Sequence, residues 1–196
     1  PEFELGEAAP QIWQKLRLKD INFAYDEGSE FALKDINLEI RRGETVFLIG
    51  KNGSGKSTLF MILAGLLAPK SGEMFADDVK ITESNLKSYA NTISAVFSDF
   101  YLFDEVMSDD EALIDELLKK MSIENKVSVK DGNFSTLNLS QGQKKRLAMV
   151  AALLEKRKFL ILDEWAADQD PEFRRHFYTE FLPGLKAQGY TIFAIS

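Results

Sequence analysis

Cysteine is absent and histidine occurs once. Without thiols the chain has neither disulfides nor thiolate metal sites, a composition that fits a reducing compartment. The single histidine, His176, reads as a surface or packing residue. No apolar run approaches the roughly eighteen residues needed to cross a bilayer, and nothing resembles a signal peptide, so the chain as given reads as soluble. Basic charge is also in short supply. Lys and Arg number 24 against 31 Asp and Glu, a net charge of −7 that argues against a nucleic-acid partner held by a basic face. What remains is a chain of 196 residues with 45% hydrophobic content, enough to bury the core of one domain or of a domain with a subdomain. Internal repeats and low-complexity runs are absent as well.

The stretch that organises the chain is Gly50-Lys51-Asn52-Gly53-Ser54-Gly55-Lys56-Ser57-Thr58, set between the apolar run 45–49 and a helical pattern over 59–67. Strand, glycine-rich loop and helix in that order form a P-loop. Its glycines let successive backbone N–H groups turn inward around a β-phosphate. Lys56 reaches the β- and γ-phosphates, and the Ser57 hydroxyl can ligate Mg²⁺. The helix that starts near Lys56 aims its positive end at the same anion.

Around this anchor the pattern reads as an α/β protein. Leu16, Leu18 and the run 21–25 predict a first strand, and residues 36–40 alternate like a half-buried second one. The run 45–50 is apolar on both faces, as expected of a central parallel strand. Short strands are predicted at 73–76 and 80–81, and a core strand at 92–97. From Asp109 a helical block begins, with acidic residues in its first turn and Lys119 and Lys120 in its last, matching the helix dipole. The acidic cluster reads as a solvated helix start rather than a metal site. Helix continues to about residue 156, with interruptions near 130–136. Strands return at 159–162 and 190–195, joined by a helix with Asp170 as N-cap and Pro171 at its first position. Strands alternating with helices imply an α/β sheet carrying an inserted helical block.

Two further motifs carry chemistry. The apolar strand 159–162 ends in Asp163-Glu164. At the carboxyl end of a parallel sheet Asp163 would face the nucleotide's Mg²⁺, and Glu164 would polarise an attacking water as general base. Leu139-Ser140-Gln141-Gly142-Gln143 opens a helix with a Ser hydroxyl and a glycine N–H, a second phosphate-binding end. One chain has one γ-phosphate to hold, so this second end would act on the nucleotide of another subunit.

Together these motifs make the chain resemble the nucleotide-binding domain of ABC transporters over about residues 16–196. The resemblance implies a P-loop NTPase fold with a RecA-like mixed-sheet core, an antiparallel β subdomain and an inserted helical subdomain. Residues 14–98 and 156–196 would form the core with its β subdomain, and residues 99–155 the helical subdomain. Residues 1–13 would be a linker or vector-derived segment. The resemblance also implies ATP and Mg²⁺ as ligands and a sandwich of two copies around two nucleotides. Tyr25 matches the aromatic that stacks on adenine. Gly50 to Thr58 match Walker A, Ser140, Gln141, Gly142 and Gln143 the signature, Asp163 and Glu164 Walker B, and Asp170 the D-loop aspartate.

Three departures stand out. The family's glutamine at the end of the strand 95–97 is Ser98 here, followed by Asp99; either water fills the gap at the metal, Asp99 substitutes, or coupling is altered. Gln141 replaces the usual glycine while keeping the backbone N–H. The switch histidine would follow Ser196 directly, so the chain reads as cut from a longer protein. The strings 96–103 and 163–171 narrow the resemblance to bacterial exporters of cyclic peptides and peptide siderophores, the pyoverdine type among them. That group implies a transmembrane domain on the same polypeptide, a location at the cytoplasmic face of the bacterial inner membrane, and ATP-driven export. A non-hydrolysing regulatory module and a non-transport ABC ATPase of DNA repair or translation are the alternatives.

Overall fold

A computed structural model describes residues 8–26 and 32–196. The amino-terminal part of the expected linker, residues 1–7, lies outside the described residues. Its core is a parallel sheet with strand order β3-β10-β9-β6, formed by β3 (Thr45–Leu48), β6 (Ile93–Val96), β9 (Phe159–Asp163) and β10 (Thr191–Ile195). Every residue of β9 and β10 is buried. Alternation explains how. Leu160, Leu162, Ile192 and Ala194 enter one core, while Phe159, Ile161, Phe193 and Ile195 enter another on the opposite face. These strands therefore read as unbroken apolar runs.

The first core carries the helical block. It collects α3 (Glu111–Lys120) through Ile114, Leu117 and Leu118, and α4 (Gln141–Leu154) through Leu147, Val150 and Leu154. Asp110 caps α3 by accepting from the Leu113 N–H at 3.1 Å. Trp165 and Phe177 stack in the same core with ring centroids 4.1 Å apart. The segment after Pro171 runs as α5 (Pro171–His176), a π turn (Phe177–Phe181) and α6 (Leu182–Ala187). Pro183 accounts for the π turn, because its ring clashes with the carbonyl of Thr179, four residues earlier, and it lacks the N–H that an α-helix would use there.

The second core joins the P-loop helix α1 (Lys56–Leu63) to an antiparallel sheet of order β2-β1-β4-β5. Its strands are β1 (Lys15–Phe23), β2 (Leu33–Arg41), β4 (Ser71–Ala76) and β5 (Val79–Ile81). In β1 the buried positions change parity between Leu18 and Ile21, where the register with both neighbours slips. Asp20 adopts a positive φ of 50° at this bulge. Gly72 lies against it, and a Cβ there would meet the Asp20 carbonyl oxygen at 2.4 Å, so only glycine fits.

The structure corrects two expectations and adds one helix. The strand 45–48 is an edge strand among the described residues, and its side chains are partly exposed, Phe47 at 45%. The interruption near 130–136 is a hairpin of β7 (Val129–Lys130) and β8 (Asn133–Phe134), turned by Asp131 and Gly132 with φ of 50° and 74°. A short helix, α2 (Leu86–Ala90), precedes β6 and carries Tyr89, whose buried hydroxyl donates to the Leu63 carbonyl at 2.8 Å.

Phe60 in α1 is 1% exposed and packs edge-on to Phe97, ring centroids 5.0 Å apart. Truncation to alanine leaves a cavity between the P-loop helix and the end of β6. Phe60→Ala is expected to cost about 3–5 kcal/mol, read as a lower urea midpoint with an unchanged m-value; a loss below about 1 kcal/mol would show that this packing does not anchor α1.

Candidate functional site

The carboxyl edge of the parallel sheet brings the sequence motifs together. Leu48 pairs with Ile195, Ile195 with Asp163, and Val96 with Leu162, so the P-loop, Asp163-Glu164 and Ser98 leave the sheet on one side. The first helical residue after the loop, Lys56, is buried, and its ammonium donates to the carbonyls of Gly50 at 2.7 Å and Lys51 at 3.2 Å. The ammonium is thus folded back over the loop it belongs to. Gly55 has φ 87°, and a Cβ there would meet the Ala32 carbonyl oxygen at 2.3 Å. Gly53, with φ 78°, faces open space. Lys51, Asn52, Gly53, Ser54 and Ser57 are exposed. Thr58 is buried and shares a 3.0 Å hydrogen bond with the Tyr25 hydroxyl. Tyr25 packs edge-on to Phe23 and keeps 58% of its surface exposed.

Asp163 ends β9 and is 6% exposed. The Ser98 hydroxyl donates to its Oδ2 at 3.0 Å. The Ser98 hydroxyl thus engages the carboxylate directly, while Asp99 is exposed and lines a neighbouring apolar groove. Burial raises the Asp163 pKa and the adjacent Glu164 charge raises it further; the hydrogen bonds from Ser98 and the charge of Lys145 oppose both. A buried carboxylate beside the Ser98 hydroxyl offers hard oxygen donors of the kind that suit Mg²⁺. Glu164 is exposed and has a left-handed backbone, φ 45° and ψ 33°. Its N–H donates to the Ile195 carbonyl at 3.1 Å. A non-glycine residue held this way is the kind of local strain that functional sites retain.

The signature stretch lies at the start of α4. Ser140 and Gln143 form a reciprocal capping box, with Gln143 N–H to Ser140 Oγ at 3.3 Å and Ser140 N–H to Gln143 Oε1 at 3.1 Å. Ser140 and Gln141 are exposed. Gly142 is enclosed: a Cβ would meet the Asp168 carbonyl oxygen at 2.7 Å, and its own carbonyl accepts from Gln169 Nε2 at 3.1 Å. Asp170 caps α5 by accepting from the Phe173 N–H at 2.8 Å, as the sequence predicts.

Sequence reasoning missed Arg146 and Lys145. The Arg146 guanidinium bonds Gln169 Oε1 at 2.8 Å and Asp170 Oδ2 at 2.6 Å and lies 3.5 Å over the Phe173 ring. Lys145 is 2% exposed and pairs with Asp168 at 2.6 Å. The only signal was that 144–146 is a cationic triplet in a helix, a pattern that equally describes a solvated face. His176 is partly exposed and pairs with Glu180, in keeping with its reading as a surface residue.

The raised Asp163 pKa has a consequence for stability. The folded state binds this proton more tightly than the unfolded chain, so the ionised carboxylate destabilises the ligand-free fold above its raised folded pKa. That penalty fades as pH falls and is absent below the unfolded value of 3.8. Asp163→Asn is therefore expected to be more stable than the parent at pH 7 without nucleotide, with the gap closing under acid. Denaturation across that pH range checks it; an Asn variant less stable at pH 7 would contradict the assignment.

Comparison with known proteins agrees with this geometry. The family model described as ABC transporter matches residues 33–167. The ATP-binding protein SyrD of Pseudomonas syringae pv. syringae is 42% identical over 94% of the chain, which spans only 34% of SyrD. The energy-coupling factor transporter ATP-binding protein EcfA1 of Oceanobacillus iheyensis is 31% identical over 92% of the chain and 69% of its own length. Among solved structures, cbiO1 of Clostridium perfringens, part of the ABC transporter complex cbiONQ, aligns with TM-score 0.75 at 33% identity over 94% of this chain and 79% of that one. A bacterial Atm1-family ABC exporter with ATP bound shares the fold with TM-score 0.83 at 21% identity, over 100% of this chain and 36% of that one. The chain belongs to the ABC transporter family, as an ATP-binding domain.

Proposed function

We propose that this domain binds MgATP and hydrolyses it to power export by a transmembrane domain of the same polypeptide, at the cytoplasmic face of the bacterial inner membrane. The observation that carries this reading is the convergence of Lys56, Asp163, Glu164 and Ser98 at one sheet edge. Tyr25 would stack on adenine, the loop N–H groups and Lys56 would hold the phosphates, and Ser57 and Asp163, with Ser98 beside it, would hold Mg²⁺. When bound, Mg²⁺ would supply positive charge against the charge that develops on the phosphates. Glu164 would accept a proton from the water that attacks the γ-phosphate in line. Ser140 and Gly142, exposed or half-exposed at the start of α4, would cap the nucleotide of a second copy of this chain, with Asp170 facing the same partner.

Division into a core (14–98 and 156–196) and a helical subdomain (99–155) fits the same reading. Between them lies a cavity of about 510 Å³ walled by Phe97, Phe100, Phe103 and Ala148. Tyr101, Phe103 and Met107 stand 79%, 71% and 79% exposed at its rim, an apolar patch suited to a helix of the membrane domain. A cyclic peptide or peptide siderophore is the proposed cargo. Support comes from the strings 96–103 and 163–171 and from the similarity to SyrD, of which this chain spans about a third. SyrD and EcfA1 are named as ATP-binding proteins, and EcfA1 and cbiO1 as parts of transporters, which favours transport over DNA repair or translation.

MgATP at about one hundred times its Kd should stabilise the fold by about 2.7 kcal/mol, because the unfolded chain does not bind it. Thermal denaturation should show that shift in the parent and in Glu164→Gln, and no shift in Lys56→Ala. In the full-length polypeptide Glu164→Gln should slow phosphate release by about 10² to 10⁴-fold. A full hydrolysis rate in Glu164→Gln would remove Glu164 as the base, and an undiminished shift in Lys56→Ala would remove the P-loop from nucleotide binding.

A further inference from the structure

Lys145 lies in the second turn of α4, five residues beyond the Ser140 cap, and only 2% of it is exposed. Lysine is almost never buried without a partner, and here the ammonium has two. It donates to the Glu164 backbone carbonyl at 2.9 Å and pairs with Asp168 Oδ2 at 2.6 Å. The return contact is made by Trp165, 2% exposed, whose indole N–H donates to the Lys145 carbonyl at 2.9 Å. Thus Lys145 grips the peptide that follows Glu164 from one side and receives the next side chain from the other.

Glu164 needs such support. Its backbone is left-handed at φ 45°, a conformation that costs energy in a residue with a Cβ and persists only when its surroundings over-determine it. Among the described residues its carbonyl otherwise accepts from the Ala167 N–H, at 3.2 Å. An apolar residue of similar length would fill the same space without the desolvation of a buried ammonium. A costly group retained where a cheap one fits points to a task beyond packing.

We propose that Lys145 is a positioning residue for the hydrolytic step: its ammonium fixes the Glu164 backbone, and with it the direction of the Glu164 carboxylate, to the helix that carries the Ser140 signature. The inference rests on Glu164 being the base. It makes the orientation of that base depend on where α4 lies. When the signature end of α4 shifts against a nucleotide, the Lys145 side chain carries the shift to the Glu164 carbonyl directly, beside the contact that Trp165 makes with the same helix.

The test compares ATPase kinetics of Lys145→Met, Lys145→Arg and Glu164→Gln in the full-length polypeptide. Lys145→Met should lower kcat by about tenfold or more, as a misdirected base does. KM for ATP should stay within about twofold of the parent, because no nucleotide contact is removed. Lys145→Arg, which keeps the charge and the donors, should recover most of the rate. Asp168→Asn loosens the ammonium from a half-exposed partner and should lower kcat in the same direction by a smaller factor; it decides the matter if Lys145→Met does not fold. A normal kcat in Lys145→Met or Asp168→Asn beside an inactive Glu164→Gln overturns the positioning role alone. Losses in kcat and KM together, unrelieved by arginine, reduce Lys145 to a structural part. Activity surviving in Glu164→Gln removes the base itself and the inference with it.

Discussion

The burial of β9 and β10 on both faces is the constraint from which the site follows. Because Leu160 and Leu162 must enter one core while Phe159 and Ile161 enter the other, β9 cannot slip by one residue without exchanging its two faces. Its carboxyl end is therefore fixed, and Asp163 and Glu164 emerge where the parallel register also delivers the P-loop and Ser98. The apolar interior does not take part in chemistry. It sets where the chemistry can be.

At that edge the polar groups hold one another in poses that cost energy when nothing is bound. Lys56 turns back onto loop carbonyls, Asp163 sits buried with one hydroxyl partner, and Glu164 adopts a left-handed backbone. On the proposed reading, a polyphosphate and a divalent cation would relieve or use each of these: the ammonium would gain a better acceptor, and the carboxylate would gain a positive charge. The second layer is equally specific. Arg146, Gln169 and Asp170 bind one another around the start of α4, and Gly142 admits the Asp168 carbonyl where no side chain would fit. The helical block is thereby tied to the loop after β9 by directed bonds as well as by the shared apolar core.

Much of this is legible in the residues. The P-loop, the Asp163-Glu164 pair, the Ser140 cap and the Asp170-Pro171 helix start announce themselves because each depends on local chemistry: glycine conformations, a strand-end carboxylate, side-chain capping. Matters that depend on neighbours distant in sequence were harder. The strand 45–48 looks central by composition, but its place at the edge is set by the order in which the other strands pair. The parity change in β1 shows in the spacing of Leu18 and Ile21, yet the bulge that causes it needs Gly72 from another strand. Asp131-Gly132 carried the signal of a two-residue hairpin turn and stood inside a stretch read as interrupted helix. Lys145 was beyond reach, since whether a helical lysine faces solvent or a carbonyl is decided by what packs over it.

On the proposed reading, a complete catalytic site needs the P-loop of one copy and the signature helix of another. Phosphate release from MgATP, followed as the concentration of the full-length protein in detergent is raised through the range where it associates, tests this most directly. The rate should climb faster than linearly at low concentration and become proportional once pairs have formed. A specific activity that is substantial and constant down to concentrations where only single copies exist would contradict it.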